Sequence, residues 1–566
     1  MDLEALLRDH FTIAPDEGPS KVVPLDRLHG AVKPGMTLHV STTHSVPYGH
    51  CFELIRRFRG QKPGFTIAAL ASGTNLQAVV GAGLAKRIIT SYAGDGFPRP
   101  APSPVFQRAV AQGALEMENW TVLTFTLRLM AAALGFEWLP TRSLQGSAMA
   151  EENRADFKVE SGTGHVRALK PDLSLLHAYG ADRAGNAFLM APSIEGLWGC
   201  FASGRVLATV ERVVSTRTLR EWASRGGFVV PGALVEGVSE VPFGAHPGNV
   251  VGPDRTGYAE DHDFLAEMRR AGKTAEGLQK WLEEWVYGTD SGGYVAKLGA
   301  ERVRLLQEKL KPDAWRRELE ARRAVFDRPG TTPEEGMVVA AARLIARRVR
   351  EGGMPLILAG QGASNLAAWL ARRLVERQGG HVELLAEMGL YGYHPRPGLP
   401  FIFNLANHPT SKMLASSVEA LGVLAPRGLA VLSGAQVDGR GNVNSTRVGK
   451  TFLVGSGGAN DAASTCKEVV LLMPQDRNRL VSKVDYVTSP GARVSALVTT
   501  AALFEKGGDG LLRPAALLPG RTVEEVRKGT GWKFEAPSNL PTLPAAERWE
   551  IELLRAWDPE GYFLGE

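Results

Sequence analysis

Residues 355–365 read Pro355-Leu356-Ile357-Leu358-Ala359-Gly360-Gln361-Gly362-Ala363-Ser364-Asn365. The apolar run after the proline predicts a short buried strand, and the two glycines predict a tight turn that leads into a helix. Apolar runs that end in Gly or Ser, each followed by helical periodicity, recur through both halves of the chain. This alternation is typical of α/β architecture with a largely parallel sheet.

Length and composition exclude several classes of protein. The chain has 566 residues, which at roughly 150 residues per domain suggests two to four domains. With 44% hydrophobic and 22% charged residues, disordered, collagenous and coiled-coil chains are excluded. A net charge of +5 is too dilute for a nucleic-acid footprint. No apolar run approaches the roughly 18 residues of a membrane span, and the acidic N-terminus does not resemble a signal peptide.

The sequence also argues against metal and disulfide chemistry. Its three cysteines, Cys51, Cys200 and Cys466, are odd in number and widely separated, which excludes a disulfide framework and a cysteine-rich zinc site and fits a cytoplasmic location. No histidine pair has HExxH spacing, and neither a Gly-x-Ser-x-Gly elbow nor a P-loop occurs. We therefore expect no bound metal, no serine hydrolase and no P-loop enzyme.

Short matching motifs divide the chain into two related halves. Residues 182–186 (Asp-Arg-Ala-Gly-Asn) match residues 438–442 (Asp-Gly-Arg-Gly-Asn), and each set predicts a tight turn after an apolar strand. Four such matches occur in the same order, which favours a duplicated domain. The predicted division is a first α/β domain at 1–261, a helical connector at 262–335, a second α/β domain at 336–536 and a tail at 537–566.

Helix signals mark the connector and the tail. Residues 262–330 are charged and helix-forming, without a strand signal. A capping box from Thr332 to Glu335 predicts a helix that stops at Gly352. Residues 545–557 predict a short amphipathic helix that packs on the surface.

A strand in the second half delivers a carboxylate to its carboxyl end. Residues 381–386 predict this strand, and Glu387 and Gly389 follow it. Open α/β sheets bind ligands outside the carboxyl ends of their strands, so Glu387 is a candidate nucleophile or base. A surface glutamate that caps a turn is the alternative.

The turn formed by Gly360, Gln361 and Gly362 is a candidate anion site. Glycines between a strand and a helix let backbone N–H groups approach a phosphate or a carbonyl oxyanion, and both ligands stay open. Asn365 replaces the third glycine of a dinucleotide fingerprint, so that match is partial and a purely structural turn is the alternative.

A second glycine-rich turn contains Gly457, Gly458, Ala459 and Asn460. Closely spaced glycines cost backbone entropy, which favours close approach of a ligand, such as a phosphate, over packing.

Polar loops after strands of the first half are candidate substrate contacts. Ser72 and Asn75 lie in one loop, and Tyr92 lies in the next. Ordinary turns have the same composition, so a structural role is the alternative.

Taken together, these motifs resemble family I CoA-transferases, with the glutaconate CoA-transferase branch as the best match. Residues 72–84, 88–92 and 139–143 are similar to the α subunit, and residues 387–389, 434–444 and 457–461 are similar to the β subunit. The resemblance covers roughly residues 20–260 and 340–510, with the motifs in the expected order.

This resemblance implies two related open α/β domains of the CoA-transferase type. Glu387 is then the catalytic glutamate, which attacks an acyl-CoA thioester to form a glutamyl anhydride and then a glutamyl-CoA thioester. The N–H groups of the turn at 360–362 stabilise the oxyanion, and residues 457–460 line the CoA site. The expected partners are an acyl-CoA and a carboxylic acid, with no tightly bound cofactor, in a homo-oligomer.

The sequence departs from the family in two places. The family often has Ser-Glu-Asn-Gly at the glutamate, whereas this chain has Ala386-Glu387-Met388-Gly389. The two subunits are also joined in one polypeptide. A CoA-thioester hydrolase or ring-opening enzyme on the same fold is the main alternative, and a nucleotide-dependent oxidoreductase or a non-catalytic sensor of CoA esters is a more distant one.

Overall fold

The computed structural model describes residues 2–13, 17–43, 45–96, 98–253, 255–401, 403–535, 537 and 539–565, without the side chain of Asn75. Within these residues the first half forms a seven-stranded sheet in which all neighbours are parallel. Its strands are β1 Thr37–Val40, β2 Phe65–Ala68, β3 Ala85–Thr90, β4 Glu116–Asn119, β5 Leu173–Ala178, β6 Val206–Val210 and β7 Val235–Glu240. Their order across the sheet is β7-β6-β5-β1-β2-β3-β4.

The second half forms a nine-stranded mixed sheet in the described part of the chain. Its strands are β8 Leu356–Ala359, β9 Glu383–Ala386, β10 Leu390–Tyr391, β11 Met413–Leu414, β12 Leu429–Leu432, β13 Glu468–Met473, β14 Val494–Thr499, β15 Ala502–Lys506 and β16 Leu512–Leu517. The order is β11-β10-β9-β8-β12-β13-β14-β15-β16, and the five strands from β9 to β14 in this order are mutually parallel.

The two sheets share the topology of a duplicated unit. The order β7-β6-β5-β1-β2 in the first half corresponds strand by strand to β14-β13-β12-β8-β9 in the second. The matched turns agree in detail, because Asp182 accepts the Asn186 N–H at 2.9 Å and Asp438 accepts the Asn442 N–H at 3.1 Å. The predicted α/β class with two related domains is therefore confirmed.

Helices cover the sheets and fill the connector. The α-helices of at least six residues in the described first half are α1 Tyr48–Arg57, α2 Thr74–Gly81, α3 Pro104–Ala111, α4 Val122–Leu134, α5 Gly196–Ser203 and α6 Thr216–Ala223. The connector contains α7 His262–Ala271, α8 Ala275–Leu282, α9 Ser291–Leu298, α10 Ala300–Lys309 and α11 Ala314–Ala321. The second half and the tail contain α12 Pro333–Glu351, α13 Ala363–Arg377, α14 Ala459–Thr465, α15 Val523–Lys528 and α16 Arg548–Trp557. None of the described helices is long and apolar enough to cross a bilayer.

The capping signals act as the sequence predicts. Thr332 and Glu335 form a reciprocal capping box at the start of α12, and Gly352 follows its last residue. The tail helix α16 packs on α13, with 5.5 Å between the ring centroids of Trp369 and Trp557. The buried Arg555 of α16 also pairs with Glu335 at 2.7 Å. The tail is thus part of the folded second half and not a loose surface element.

One hydrophobic cluster draws its residues from both halves. Trp120 and Leu129 of the first half lie in the same cluster as Leu358, Leu385 and Leu471 of the second. Buried apolar area is the main favourable term in folding, so this shared core fixes the two sheets relative to each other. The loops at their carboxyl edges are consequently held in contact.

Candidate active site

Glu387 lies directly after β9, at the carboxyl edge of the second sheet. The chain turns sharply at this point, because the Gly389 N–H donates to the Ala386 carbonyl at 3.0 Å. Gly389 has a φ of +106°, and a side chain there would overlap the backbone carbonyl of Ala415. Glycine is therefore required for the turn that positions the Glu387 side chain.

The carboxylate of Glu387 lies against the backbone of Gly458. A Cβ at this position would overlap Oε2 of Glu387, and the Gly458 N–H keeps the pKa of the carboxyl lower than burial alone would. Gly458 thus both leaves room for the Glu387 side chain and fixes its orientation.

The glycine-rich loop that contains Gly458 also docks on the first half. The Gly457 N–H donates to the Ser91 carbonyl at 2.9 Å, and the Ala93 N–H donates to the Val454 carbonyl at 2.7 Å. Gly455 has a φ of +92° and faces the Ser91 carbonyl and the Asn119 side chain so closely that a Cβ would not fit. The glycines of this loop predicted close approach of a ligand, but at Gly455 and Gly458 the atoms that come close belong to the protein itself.

Asn460 and Asp461 continue this contact between the halves. Asn460 accepts the Leu144 N–H at 2.9 Å and donates to the Thr488 carbonyl at 2.8 Å. Asp461 accepts hydrogen bonds from the hydroxyls of Thr121 and Ser143, each at 2.6 Å. The amide of Asn460, a predicted contact of CoA, is therefore engaged within the protein, whereas Ala459 opens α14 beside Gly458.

Tyr92 and Ser72 lie on the first-half side of the same region. Tyr92 pairs with Gly455 across the two halves, and its hydroxyl donates to the Asp95 carbonyl at 2.7 Å. Ser72 is fully buried, and its hydroxyl has no hydrogen-bond partner among the described residues. Asn75 lies in α2, but its side chain is outside the described part of the structure.

The turn at Gly360, Gln361 and Gly362 lies beside Glu387, because Ala359 of β8 pairs with Ala386 of β9. The Gln361 side chain donates to the Gly96 carbonyl of the first half at 2.7 Å. Gly362 has a φ of +78°, and a Cβ there would come within 2.8 Å of the Phe563 ring. The turn is thus bounded by the first half on one side and by the C-terminal segment on the other.

The environment of Glu387 favours its neutral form. Burial, with a smaller contribution from the negative charge of Asp461, raises the pKa of Glu387 to about 7, and the Gly458 N–H opposes the rise. Burial also raises the pKa of Asp461 to about 6, against the hydrogen bonds from Ser143, Thr121 and the Leu123 N–H. Burial raises the pKa of Tyr92, and the charge of Glu387 contributes to that shift. Perturbed carboxylates at the carboxyl edge of an α/β sheet mark this region as the candidate active site.

The other acidic side chain of this strand, Glu383, is paired with basic groups. Glu383, at the start of β9, accepts from Lys412 and lies 2.8 Å from the His381 ring nitrogen. Among the described residues, no group of three or more His, Cys, Asp or Glu side chains has metal-binding geometry.

Sequence reasoning did not select Asp461. The residue ends the quoted glycine-rich motif, but spacing gives no sign that its partners are Thr121 and Ser143, more than 300 positions earlier. The signal that the sequence offered for Asp461 was a single acidic residue among small residues.

Two largely parallel sheets that share one core, with a partly buried carboxylate and glycine-rich loops where they meet, define a two-domain enzyme scaffold. The family model for coenzyme A transferase matches residues 25–240. One subunit of glutaconate CoA-transferase from Acidaminococcus fermentans is 26% identical over 284 residues, which cover 46% of this chain and 86% of that subunit. The other subunit of the same enzyme is 47% identical over 72 residues, which cover 12% of this chain and 27% of the subunit.

Two further matches extend the comparison. An uncharacterised protein of Archaeoglobus fulgidus is 28% identical over 270 residues, which cover 47% of this chain but only 57% of that protein. The crystal structure of an acyl-CoA transferase from E. coli O157:H7, in a thioester complex with CoA, aligns with 94% of this chain and 96% of that chain, at a TM-score of 0.63 and 15% identity. This likeness shows that the fold extends over both halves.

Residues 25–240 thus match the coenzyme A transferase family, and this one polypeptide contains regions similar to both subunits of glutaconate CoA-transferase.

Proposed function

We propose that the protein transfers CoA from an acyl-CoA thioester to a carboxylic acid and that Glu387 is the nucleophile. The observation that carries the proposal is the Glu387 carboxylate itself, which follows β9 at the junction of the halves and lies against Gly458. A pKa of about 7 makes this carboxylate more basic than an exposed glutamate while leaving about half of it ionised at neutral pH.

The reaction then needs no group beyond the substrates. A Glu387 oxygen attacks the thioester carbonyl, and the carbon–sulfur bond breaks to give an acyl-glutamyl anhydride and CoA thiolate. The thiolate attacks the glutamyl carbonyl, which releases the donor acid and leaves a glutamyl-CoA thioester. The acceptor carboxylate attacks this thioester to form a second anhydride, and the CoA thiolate captures the new acyl group and frees Glu387.

The neighbouring loops have separate roles in this scheme. Backbone N–H groups of the turn at Gly360, Gln361 and Gly362 stabilise the oxyanion of each tetrahedral intermediate, because the turn lies beside Glu387 on the adjacent strand. Ser72 is the candidate acyl contact, since its buried hydroxyl has no partner among the described residues. Tyr92 forms the wall of the site contributed by the first half.

The nucleophile is tested by trapping. The protein is incubated with a panel of acyl-CoAs without an acceptor acid, treated with hydroxylamine or borohydride, and digested for mass spectrometry. We expect a hydroxamate or a reduced side chain at Glu387 and its loss in Glu387→Gln. The matched control is Glu383→Gln, on the same strand, whose carboxylate is paired with Lys412 and His381.

Two outcomes contradict the proposal. Full turnover by Glu387→Gln removes the glutamate from the mechanism. Consumption of acyl-CoA to free acid and free CoA in the presence of acceptor acids, without any new acyl-CoA, replaces transfer by thioester hydrolysis.

A further inference from the structure

The second half caps a helix of the first half. Helix α4 begins at Val122, and the first N–H groups of any helix lack partners within the helix. Here the Val122 N–H donates to the Gly457 carbonyl at 3.1 Å, and the Leu123 N–H donates to the Asp461 carboxylate at 3.0 Å. Both acceptors come from the other half of the chain.

The donors that surround the Asp461 carboxylate belong to the first half. The carboxylate is fully buried, and among the described residues the hydrogen bonds it accepts come from Thr121, Leu123 and Ser143. A buried carboxylate is costly unless such donors surround it. Asp461 is therefore stable in place only when the two halves are docked.

The same short segment holds Glu387. Gly457 and Asp461 bind the first turn of α4, and between them Gly458 lies directly against the Glu387 carboxylate. A shift of this segment away from the first half moves the Gly458 N–H away from the carboxylate as well. The contact between the halves and the orientation of Glu387 are thus linked through the backbone of residues 457–461.

We propose that Asp461 is a positioning residue that couples docking of the two halves to the orientation and ionisation of Glu387. This inference rests on the proposed function, in which Glu387 is the nucleophile. Asp461 acts in two ways: its hydrogen bonds hold residues 457–461 against α4, and its negative charge keeps the Glu387 carboxylate basic.

Few titratable groups face this pair among the described residues. Tyr92 faces Glu387 from the first half, and Cys466 faces Asp461 from the end of α14. Burial raises the pKa of both groups, so both stay neutral through the range in which the carboxylates ionise. A change in the pH dependence of Glu387 therefore reports on Asp461.

Asp461→Asn separates charge from shape. The amide oxygen still accepts the Leu123 N–H, and the amide nitrogen donates to the hydroxyls of Thr121 and Ser143, which turn to accept. We expect the midpoint of the pH profile for single-turnover release of CoA to fall by about half to one unit, because the like charge is removed. Asp438→Asn is the control, since this buried aspartate binds its own turn, at Asn442, away from the site.

Asp461→Ala removes the hydrogen bonds too. We expect a loss in kcat of about 10- to 100-fold, since the nucleophile is misplaced, with KM for acyl-CoA within about threefold, since Ser72 and the turn at 360–362 stay in place. Hydrogen exchange at the Val122 and Leu123 amides should also become at least about tenfold faster than in the wild type, a readout that does not depend on turnover.

The outcomes distinguish this inference from the proposed function. Absence of any trapped acyl group on wild-type Glu387 refutes the proposed function and, with it, this inference. If wild-type Glu387 is acylated, the proposed function stands and two results refute the coupling by Asp461. In the first, Asp461→Asn has the same pH midpoint for CoA release as Asp438→Asn. In the second, Asp461→Ala leaves amide exchange in α4 unchanged.

Discussion

Two adjacent glycines give a sharp test of how Glu387 is held. In Gly458→Ala the new Cβ overlaps Oε2 of Glu387 and lies 3.1 Å from its Cδ, so the carboxylate must move by more than about 1 Å to restore van der Waals contact. In Gly457→Ala no described atom lies within 4 Å of the new Cβ, although the φ of +53° disfavours alanine. The pair therefore separates crowding of the nucleophile from backbone strain.

The expected magnitudes follow from these contacts. A misplacement of the reacting carboxylate by about 1 Å costs roughly 100-fold in rate. We expect Gly458→Ala to slow CoA release in a single turnover by about 100-fold or more. Gly457→Ala should cost about 1–2 kcal/mol in stability and leave the rate within about threefold.

The assay is quenched-flow measurement of CoA thiol release under single-turnover conditions, with thermal unfolding of each variant as the check on folding. A Gly458→Ala protein that melts like the wild type and releases CoA within about threefold of its rate would refute the assigned position of Glu387. An equal loss of rate in both variants would show that backbone strain, and not crowding of the carboxylate, is the cause.

The remaining predictions concern pH and stability. CoA release should rise about tenfold per pH unit below pH 7 and level off above it, since ionised Glu387 attacks and burial raises its pKa to about 7; a flat single-turnover profile contradicts this. The folded state binds more protons at Glu387 than the unfolded state between pH 4.5 and 7, so stability is lost as pH rises through this window. Glu387→Gln should therefore raise the melting temperature relative to the wild type at about pH 8 but not at about pH 4. Glu335→Gln should lower the free energy of unfolding by about 3 kcal/mol in urea titrations, because it leaves the buried Arg555 charge without its partner; a change below about 1 kcal/mol argues against this ion pair.

Local features of the fold were open to prediction from the sequence. The strand β8 ends one residue before Gly360, and the capping box at Thr332 starts α12. Such signals are local: apolar runs set strands, and cap residues set helix ends. The position of Glu387 after β9 belongs to this group, since it follows from where one strand ends.

The assembly of the site was not open to prediction from spacing. Glycine at 455 is explained by the Ser91 carbonyl and the Asn119 side chain, and glycine at 362 by the ring of Phe563. These partners lie hundreds of residues away or in the tail, and no periodicity encodes them. A glycine cluster therefore indicates that another group packs closely against the backbone there. Which group it is depends on tertiary contacts.

Comparison of the two halves shows how one topology serves two roles. Strand β2 of the first half corresponds to β9 of the second, and the residue after β2 is Ala69 where the residue after β9 is Glu387. Helix α5 corresponds to α14, and the residue before α5 is Glu195 where the residue before α14 is Gly458. Glu195 and Glu387 thus lie at corresponding sheet edges of the two halves, but on different elements.

The difference between these carboxylates lies in their hydrogen bonds. Glu195 is fully buried and accepts the Thr42 N–H of its own half at 3.0 Å, so it stabilises the loop after β1. Glu387 occupies space that a side chain at 458 would fill, and Gly458 leaves that space open. In the second half, the acid after the strand therefore requires that no side chain stands at the residue before the helix. A substitution at Gly458 should consequently slow acylation of Glu387 by about 100-fold or more, even though position 458 carries no reactive group.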